Sequence, residues 1–226
     1  MSDYLEIEYA EEKRPLTSYP GQLAAHLFES LSFKVGESLL EFGSGRAELL
    51  SHFTRLGLET YAVDSAESSA IFAEKAGARF KLFTFKDIES TESLQEMHYD
   101  IIFSKSFVEH ISNPLEFASA SYRMLKPGGL FVTLTPDWES NQKIFYDDLT
   151  HIKPFTKVSM HQLLEYGNFI DIEVKTFRQL PVTWNSKFFD ALAALTSYLS
   201  KPRAKNKWMR WSKELMIIGV GRKPIA

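Results

Sequence analysis

The feature that most constrains the fold is a glycine turn between an apolar run and a helical pattern, at residues 39–48. Residues 38–40 have the character of a strand that is covered on both faces, as in a parallel sheet. Gly43 and Gly45 then allow a tight turn in which no Cβ blocks a ligand from approaching the backbone. The helix after the turn directs its unpaired N–H groups toward that ligand. The turn therefore predicts an α/β fold with a ligand at the carboxyl end of the strand.

An acidic residue at the end of the next predicted strand indicates what that ligand contains. Asp64 lies about 20 residues beyond the glycine turn, where a carboxylate can accept hydrogen bonds from both hydroxyls of a ribose. A different interpretation is that Asp64 caps the helix that follows, and Ser65 can share that role. The spacing favours bound adenosine but does not identify the reaction.

Composition restricts the class of protein. A chain of 226 residues with 44% hydrophobic content is long enough for one α/β domain with a substantial core. A net charge of −3 and a pI near 6.1 argue against a nucleic-acid binder, so we expect no DNA partner. The absence of cysteine excludes disulfides, zinc–thiolate sites and cysteine nucleophiles. The acidic first residues lack a signal-peptide pattern and no apolar run is long enough to span a membrane, so we expect a cytoplasmic protein.

Two further blocks follow the glycine turn in the expected order. Residues 99–111 run Tyr-Asp-Ile-Ile-Phe-Ser-Lys-Ser-Phe-Val-Glu-His-Ile, and residues 123–129 run Arg-Met-Leu-Lys-Pro-Gly-Gly before a strand at 130–136. Together with the E-x-G-x-G-x-A pattern at 41–47, these blocks resemble the class I S-adenosylmethionine-dependent methyltransferases of the small-molecule branch. An NAD-dependent oxidoreductase is the disfavoured alternative, because Glu48 stands where the dinucleotide fingerprint has a small residue.

The resemblance implies a Rossmann-like, doubly wound α/β fold with three α/β/α layers. Its sheet has seven strands and is mostly parallel, with an antiparallel last strand. We expect a single methyltransferase domain over residues 1–226, with an N-terminal arm and a cover helix at 1–34. Residues 181–213 form an insertion of helical, basic and aromatic character between two strands that a short hairpin normally joins in this fold.

The resemblance also implies S-adenosylmethionine as the methyl donor and S-adenosylhomocysteine as the product. Glu41 would hold the methionine amino group, with Ser104 close to the methionine part and Asp64 on the ribose. Asp87 and Ile88 would frame the adenine, although Asp87 can instead be the N-cap of a short helix. The full set of expected cofactor-binding residues is Tyr19, Glu41, Gly43, Ser44, Gly45, Asp64, Ser65, Asp87, Ile88, Ser104 and Lys105.

A long irregular loop is predicted at residues 137–157, where contacts to the methyl acceptor are expected. His151 is the best candidate for a general base, because the ordinary pKa of histidine lies near working pH. The alternative for His151 is a loop residue that hydrogen-bonds to the backbone. A neighbouring aspartate would orient this histidine or bind substrate hydroxyls. The expected substrate contacts are Asp147, Asp148 and Trp138, and the weaker candidate for the base is His110.

These observations predict methyl transfer to a small molecule or a sugar/glycan acceptor, with O-methylation favoured. No metal is expected, because no ligand cluster stands out in the sequence. The alternative is a non-catalytic S-adenosylmethionine-binding module that uses the insertion at 181–213 to contact a partner or a membrane. The lysines, arginines and tryptophans of 201–213 favour contact with an anionic membrane or a phosphate-bearing substrate, or a helical lid that packs its tryptophans on the sheet. The sequence leaves the oligomeric state open.

Overall fold

The computed structural model describes residues 15–83 and 98–225. The chain divides into two compact units. The first unit comprises Met1–Ser104, Arg123–Leu130 and Ile225–Ala226, and the second comprises Lys105–Tyr122 and Phe131–Pro224. The single-domain boundary at 1–226 stays a prediction. Within the described ranges, no helix combines the length and the apolar character needed to cross a membrane.

The first half of the chain alternates helices and parallel strands. Strand β1 pairs in parallel with β2 and β4, and β2 pairs in parallel with β3. This alternation is what a doubly wound fold requires. The elements are α1 (Tyr19–Ser30), β1 (Ser38–Phe42), α2 (Glu48–Arg55), β2 (Glu59–Asp64), α3 (Ser69–Lys75), β3 (Arg79–Leu82) and β4 (Tyr99–Lys105).

The second half completes the sheet and carries the insertion. Strand β6 runs antiparallel to β7, and the strand order is β3-β2-β1-β4-β5-β7-β6. The predicted fold class is therefore confirmed. The elements are a 3₁₀ turn (Val108–His110), α4 (Pro114–Met124), β5 (Leu125–Pro136), α5 (Trp138–Asn141), a second 3₁₀ turn (Phe145–Asp147), α6 (Lys157–Tyr166), β6 (Ile170–Phe177), α7 (Pro181–Trp184), α8 (Lys187–Ser197), α9 (Lys207–Lys213) and β7 (Met216–Arg222).

The core of the first unit surrounds β1. All five residues of this strand are buried, including the polar side chains of Ser38 and Glu41. Phe53 of α2 packs edge-to-face on Phe103 of β4, with ring centroids 5.5 Å apart. Each such fully buried side chain stabilises the fold by about 1.5–3 kcal/mol. This packing fixes the end of β1, where the glycine turn begins.

The core of the second unit depends on close approach at the glycines of β7. A Cβ added at Gly221 would lie 2.7 Å from the Cβ of Phe169, which is closer than real carbon atoms pack. Phe169 in turn stacks on Phe131 of β5, with ring centroids 5.2 Å apart. The absence of a side chain at Gly221 therefore makes room for this aromatic stack.

Several predicted boundaries differ from the observed ones. The fifth strand begins at Leu125 instead of residue 130, so it includes the Pro-Gly-Gly segment, in which Gly128 has a φ of +80°. Helix α6 ends at Tyr166 and is followed by Gly167 and by the left-handed residue Asn168, which has a φ of +64°. The loop predicted at 137–157 contains α5 and a 3₁₀ turn, so it is less irregular than expected.

Candidate functional site

The glycine turn after β1 adopts the left-handed backbone that its sequence predicted. Gly43 and Gly45 have φ values of +71° and +50°, and Ala47 has a φ of +52° although it carries a Cβ. The N–H of Gly43 donates to the carbonyl of Val63 at 2.8 Å, which holds the turn against β2. Three left-handed residues in five make this turn tight, and the N–H of Ala47 donates to the carbonyl of Ser44 within it at 2.7 Å.

Asp64 is bonded to this turn. Its Oδ2 accepts from the N–H of Gly45 at 2.8 Å, and its Oδ1 accepts from the N–H of Ala66 at 2.9 Å. Helix α3 begins only at Ser69, with Ser68 as its N-cap, so the alternative that Asp64 caps this helix is wrong. Each carboxylate oxygen has further acceptor capacity. The arrangement fits a carboxylate that holds the turn and receives ribose hydroxyls.

Three other expected cofactor residues lie at the carboxyl ends of the first unit's strands. Glu41 is buried in β1 opposite Phe103 of β4, and Ser104 is fully buried near the end of β4. The Oγ of Ser44, inside the turn, is buried and has no hydrogen-bond partner among the described residues. A buried hydroxyl without a partner is costly unless a ligand completes it. The turn therefore fits a polar ligand such as the amino acid part of S-adenosylmethionine.

The remaining cofactor predictions are placed with less detail. Tyr19 lies in α1, and burial raises the pKa of its hydroxyl above its ordinary value. Ser65 is exposed directly after β2, and Lys105 ends β4. Asp87 and Ile88 lie outside the described residues, so the predicted adenine contacts are not described.

The second unit brings together residues that the sequence separates. Glu109 lies in the 3₁₀ turn after β4, and its side chain is fully buried. Its Oε2 accepts from the Oγ1 of Thr135 at 3.0 Å. The backbone carbonyl of Glu109 accepts from the N–H groups of Ile152 and Lys153, at 3.0 and 2.9 Å. These two bonds fix the segment that carries His151 beside the 3₁₀ turn.

His151 is held by its Nδ1, which lies 2.6 Å from the carbonyl oxygen of Phe145. Because a carbonyl only accepts, the neutral imidazole carries its proton on Nδ1 and its lone pair on Nε2. That Nε2 lies 4.0 Å from Oε1 of Glu109 and 3.9 Å from Oδ2 of Asp148. The two interpretations of His151 are therefore compatible, because its Nδ1 bonds to the backbone while its Nε2 keeps a basic lone pair.

His110 lies against His151, with ring centroids 4.8 Å apart. Its Nδ1 is 3.1 Å from the carbonyl oxygen of Thr150 and 3.0 Å from the Oγ1 of the same residue. The side chain of Thr150 also donates to Asp148. Backbone and hydroxyl groups thus fix both imidazole rings through their Nδ1 atoms.

Glu109, His110 and Asp148 have shifted pKa values. Burial raises the pKa of Glu109 to about 7, although the Thr135 hydrogen bond and the charge of Lys105 oppose the rise. Burial and the neighbouring His151 lower the pKa of His110. Burial opposes ionisation of Asp148, but the hydrogen bonds from Thr150 outweigh it and lower the pKa of Asp148. Perturbed groups of this kind concentrate at functional sites.

The two candidate aspartates of this cluster have different partners. The side chain of Asp147 forms an ion pair with Arg203, whose Nε lies 2.7 Å from its Oδ2, so Asp147 does not orient His151. Asp148 is the aspartate beside His151. Trp138 packs edge-to-face on Phe145, with ring centroids 5.5 Å apart, and so supports the residue that holds His151. Glu109 was missed as a member of the cluster, although its position before His110 in the second block was a signal.

The comparisons with known proteins agree with the fold and this geometry. A family model described as a methyltransferase domain matches residues 13–174. The ubiquinone biosynthesis O-methyltransferase of Nitrobacter winogradskyi is 34% identical over 119 residues, which are 49% of this chain and 44% of that protein. The protein of the same name from Roseobacter denitrificans is 26% identical over 191 residues, 76% of this chain and 75% of that protein. For four of the curated relatives, including the protein from Nitrobacter winogradskyi, the chain spans about half of the relative's own length.

Solved structures share the fold. A S-adenosylmethionine-dependent methyltransferase from Archaeoglobus fulgidus has a TM-score of 0.68 at 22% identity, and the match covers 98% of this chain and all of that one. A phosphoethanolamine N-methyltransferase of Haemonchus contortus, solved with S-adenosylmethionine, has a TM-score of 0.63 at 17% identity, covering 97% of this chain and 59% of that one.

A doubly wound sheet with a glycine turn after its first strand defines a Rossmann-like fold. Because the family model covers well over half of its length, the chain belongs to the methyltransferase-domain family, whose methyl donor is S-adenosylmethionine. The predicted family and its cofactor are thereby confirmed, and methyl transfer by this chain is a proposal.

Proposed function

We propose that the protein methylates a hydroxyl oxygen of a small molecule and that His151 removes the hydroxyl proton. The observation that carries this proposal is the orientation of His151, whose Nδ1 is fixed by the Phe145 carbonyl at 2.6 Å. This leaves the Nε2 lone pair to accept a proton. The names of the curated relatives, which are O-methyltransferases, support oxygen as the acceptor atom.

When bound, the cofactor would supply an electrophilic methyl group on a positively charged sulfur, so that the acceptor oxygen gains the methyl group and neutral S-adenosylhomocysteine leaves. Glu41 would hold its amino group and Asp64 its ribose, while the turn around Ser44 would contact its amino acid part. Asp87 and Ile88 are proposed to frame the adenine. The protein's main contributions are then alignment of the acceptor and removal of one proton.

The proton passes from the acceptor hydroxyl to Nε2 of His151. The resulting imidazolium keeps its Nδ1–H on the Phe145 carbonyl, and its new Nε2–H lies close to the carboxylate of Asp148, 3.9 Å away. A nearby negative charge stabilises the imidazolium and favours this transfer. The acceptor class is a hydroxylated small molecule, with a sugar or glycan as one form.

The test is an assay of S-adenosylhomocysteine formation with a panel of phenolic, sugar and amine acceptors. We expect hydroxylated acceptors to react, and His151→Gln to lower kcat about 10²–10⁴-fold with cofactor affinity unchanged. His161→Gln is the matched control, because His161 is exposed on α6. Transfer to amines alone, or full activity of His151→Gln, contradicts the proposal.

A second proposal concerns the insertion at 181–213, which we infer rests on an anionic membrane surface. Its apolar side chains Phe188, Leu195, Tyr198 and Leu199 are 65–85% exposed on and just after α8. The same insertion carries four exposed lysines, namely Lys187, Lys201, Lys205 and Lys207. Aromatic and aliphatic side chains flanked by lysines suit the interface of an anionic bilayer.

This surface differs in detail from the one expected at 201–213. Trp208 packs within the insertion, since its Nε1 donates to the Oγ1 of Thr196 at 2.9 Å. Arg203 and Arg210 form ion pairs with Asp147 and Glu214. The apolar part of the surface therefore lies on α8, and the lysines provide most of its charge.

Sedimentation with vesicles tests this second proposal. We expect binding to vesicles that contain phosphatidylserine and not to neutral phosphatidylcholine vesicles, and loss of binding in the double variant Phe188→Ser, Leu195→Ser. The control is Leu149→Ser, because Leu149 is 95% exposed outside the insertion. Equal vesicle binding by the double variant and the control contradicts the proposal. The non-catalytic alternative for the whole chain requires vesicle or partner binding without any methyl transfer. The cytoplasmic location stays a prediction.

A further inference from the structure

We infer that Glu109, His110 and His151 form a binding site for a divalent transition-metal ion, with zinc as the ion that the ligand set fits best. Each residue offers one ligand atom, and these three atoms lie within 4.8 Å of one another. All three residues belong to the second unit. The inference therefore needs no assumption about the cofactor.

Both histidines are already arranged as metal ligands. The Nδ1 of His151 is held by the Phe145 carbonyl, and the Nδ1 of His110 is held by the Thr150 carbonyl. A histidine that binds a metal commonly donates its other ring N–H to a carbonyl or a carboxylate, which fixes the tautomer and the ring orientation. Here both rings retain a lone pair on Nε2, the atom that would bind the ion.

The carboxylate of Glu109 supplies the independent observation. Its side chain is fully buried, and its Oε1 has no hydrogen-bond partner within the part of the chain that the structure describes. This oxygen lies 4.0 Å from Nε2 of His151, and Oδ2 of Asp148 lies 3.9 Å from the same nitrogen. Two carboxylate oxygens and the Nε2 lone pair thus come close together, and among the described residues no hydrogen bond joins them. A cation would compensate the cost of this arrangement.

The ligand types select the class of ion. Two imidazoles and one carboxylate, with a fourth position left for water or a further ligand, are a recurrent set for zinc. Calcium and magnesium prefer ligand sets made of oxygen alone. Zinc–ligand bonds of about 2.0–2.2 Å place tetrahedral ligand atoms roughly 3.4 Å apart. The observed separations, at most 4.8 Å, therefore require the side chains to move together by about 1 Å on binding.

The experiment is a titration of the full chain, first freed of metal by a chelator, with Zn²⁺ by calorimetry and with Co²⁺ by visible absorption. We expect one ion per chain and the absorption of a four- or five-coordinate cobalt site. His110→Gln and Glu109→Gln should weaken Zn²⁺ binding at least about tenfold. His161→Gln should bind as the wild type does, because His161 lies outside the cluster.

If Glu109→Gln fails to fold, His110→Gln and the cobalt spectrum still decide the question. The inference is overturned if the wild type does not bind Zn²⁺ stoichiometrically, or if His110→Gln and His161→Gln bind it equally. Metal binding is measured without any acceptor, so its failure is distinct from a failure of the proposed methyl transfer.

Discussion

Asp64→Asn is the substitution that separates a direct role in ribose binding from an indirect role through the glycine turn. The wild-type carboxylate accepts one hydrogen bond from Gly45 and one from Ala66. Asparagine keeps the shape and one oxygen, so at least one of these bonds is lost. A hydrogen bond to a charged group is worth about 1.5–3 kcal/mol, and partial exposure reduces this to about 1–2 kcal/mol of stability.

We expect Asp64→Asn to reduce the binding free energy of the cofactor by a similar amount. A carboxylate that accepts from ribose hydroxyls should contribute at least about 1.4 kcal/mol, which corresponds to tenfold in affinity. Calorimetry would compare S-adenosylhomocysteine with an analogue that lacks both ribose hydroxyls, on the wild type and on Asp64→Asn. On the wild type, we expect the analogue to bind more weakly than S-adenosylhomocysteine. On Asp64→Asn, we expect the two ligands to bind with equal affinity.

Glu74→Gln is the control, because Glu74 is an exposed carboxylate of α3 in the same unit. If Asp64→Asn weakens both ligands by the same factor, Asp64 acts through the turn and the ribose assignment is refuted. Unchanged affinity for S-adenosylhomocysteine refutes both roles.

Three further predictions follow from the structure. Saturating Zn²⁺ should lower methyl transfer at least about tenfold and a chelator should restore it, because one lone pair of His151 cannot hold both a metal and a proton. Asp100→Asn should cost about 1 kcal/mol in urea unfolding at pH 7. Burial opposes ionisation of Asp100, but the hydrogen bonds from Lys126 and Ser38 outweigh it and lower the pKa of Asp100. The difference in unfolding free energy between the wild type and Asp100→Asn should therefore vanish as pH falls through that lowered pKa. Gly221→Ala should destabilise by about 1–3 kcal/mol in the same assay, since its Cβ would lie 2.7 Å from Phe169.

The sequence predicted the first unit well because local signals there agree with one another. The apolar run of β1, the glycines after it and the acidic end of β2 each require one backbone conformation, and the structure has all three. Boundaries were less predictable. Helix α3 starts at Ser69 because the N–H of Ser69 already bonds to the carbonyl of Ala66 in a turn, a preference that a helical pattern does not reveal.

The site in the second unit was only partly predictable, because its contacts are long-range. His151 was identified from its residue type, but Glu109 is brought beside it by long-range backbone bonds to Ile152 and Lys153. Asp147 and Asp148 are adjacent and chemically identical, so the sequence could not distinguish them. Arg203 of the insertion pairs with Asp147, and Asp148 is the aspartate that lies beside His151.

The insertion shows a related limit of sequence patterns. Its basic and aromatic composition predicted a surface element, but composition does not say which aromatic side chains are covered. Trp208 hydrogen-bonds to Thr196 of α8, whereas Phe188 on the same helix is 70% exposed. Only the packing of α8 against α9 determines that Trp208 is partly covered while Phe188 is exposed.

The most direct test of the central claim is parallel calorimetric titration of the chain with S-adenosylmethionine, S-adenosylhomocysteine and NAD. The account predicts that the first two bind one molecule per chain with dissociation constants on the order of micromolar, and that NAD does not bind. Binding of NAD alone, or no binding of S-adenosylmethionine, would contradict it.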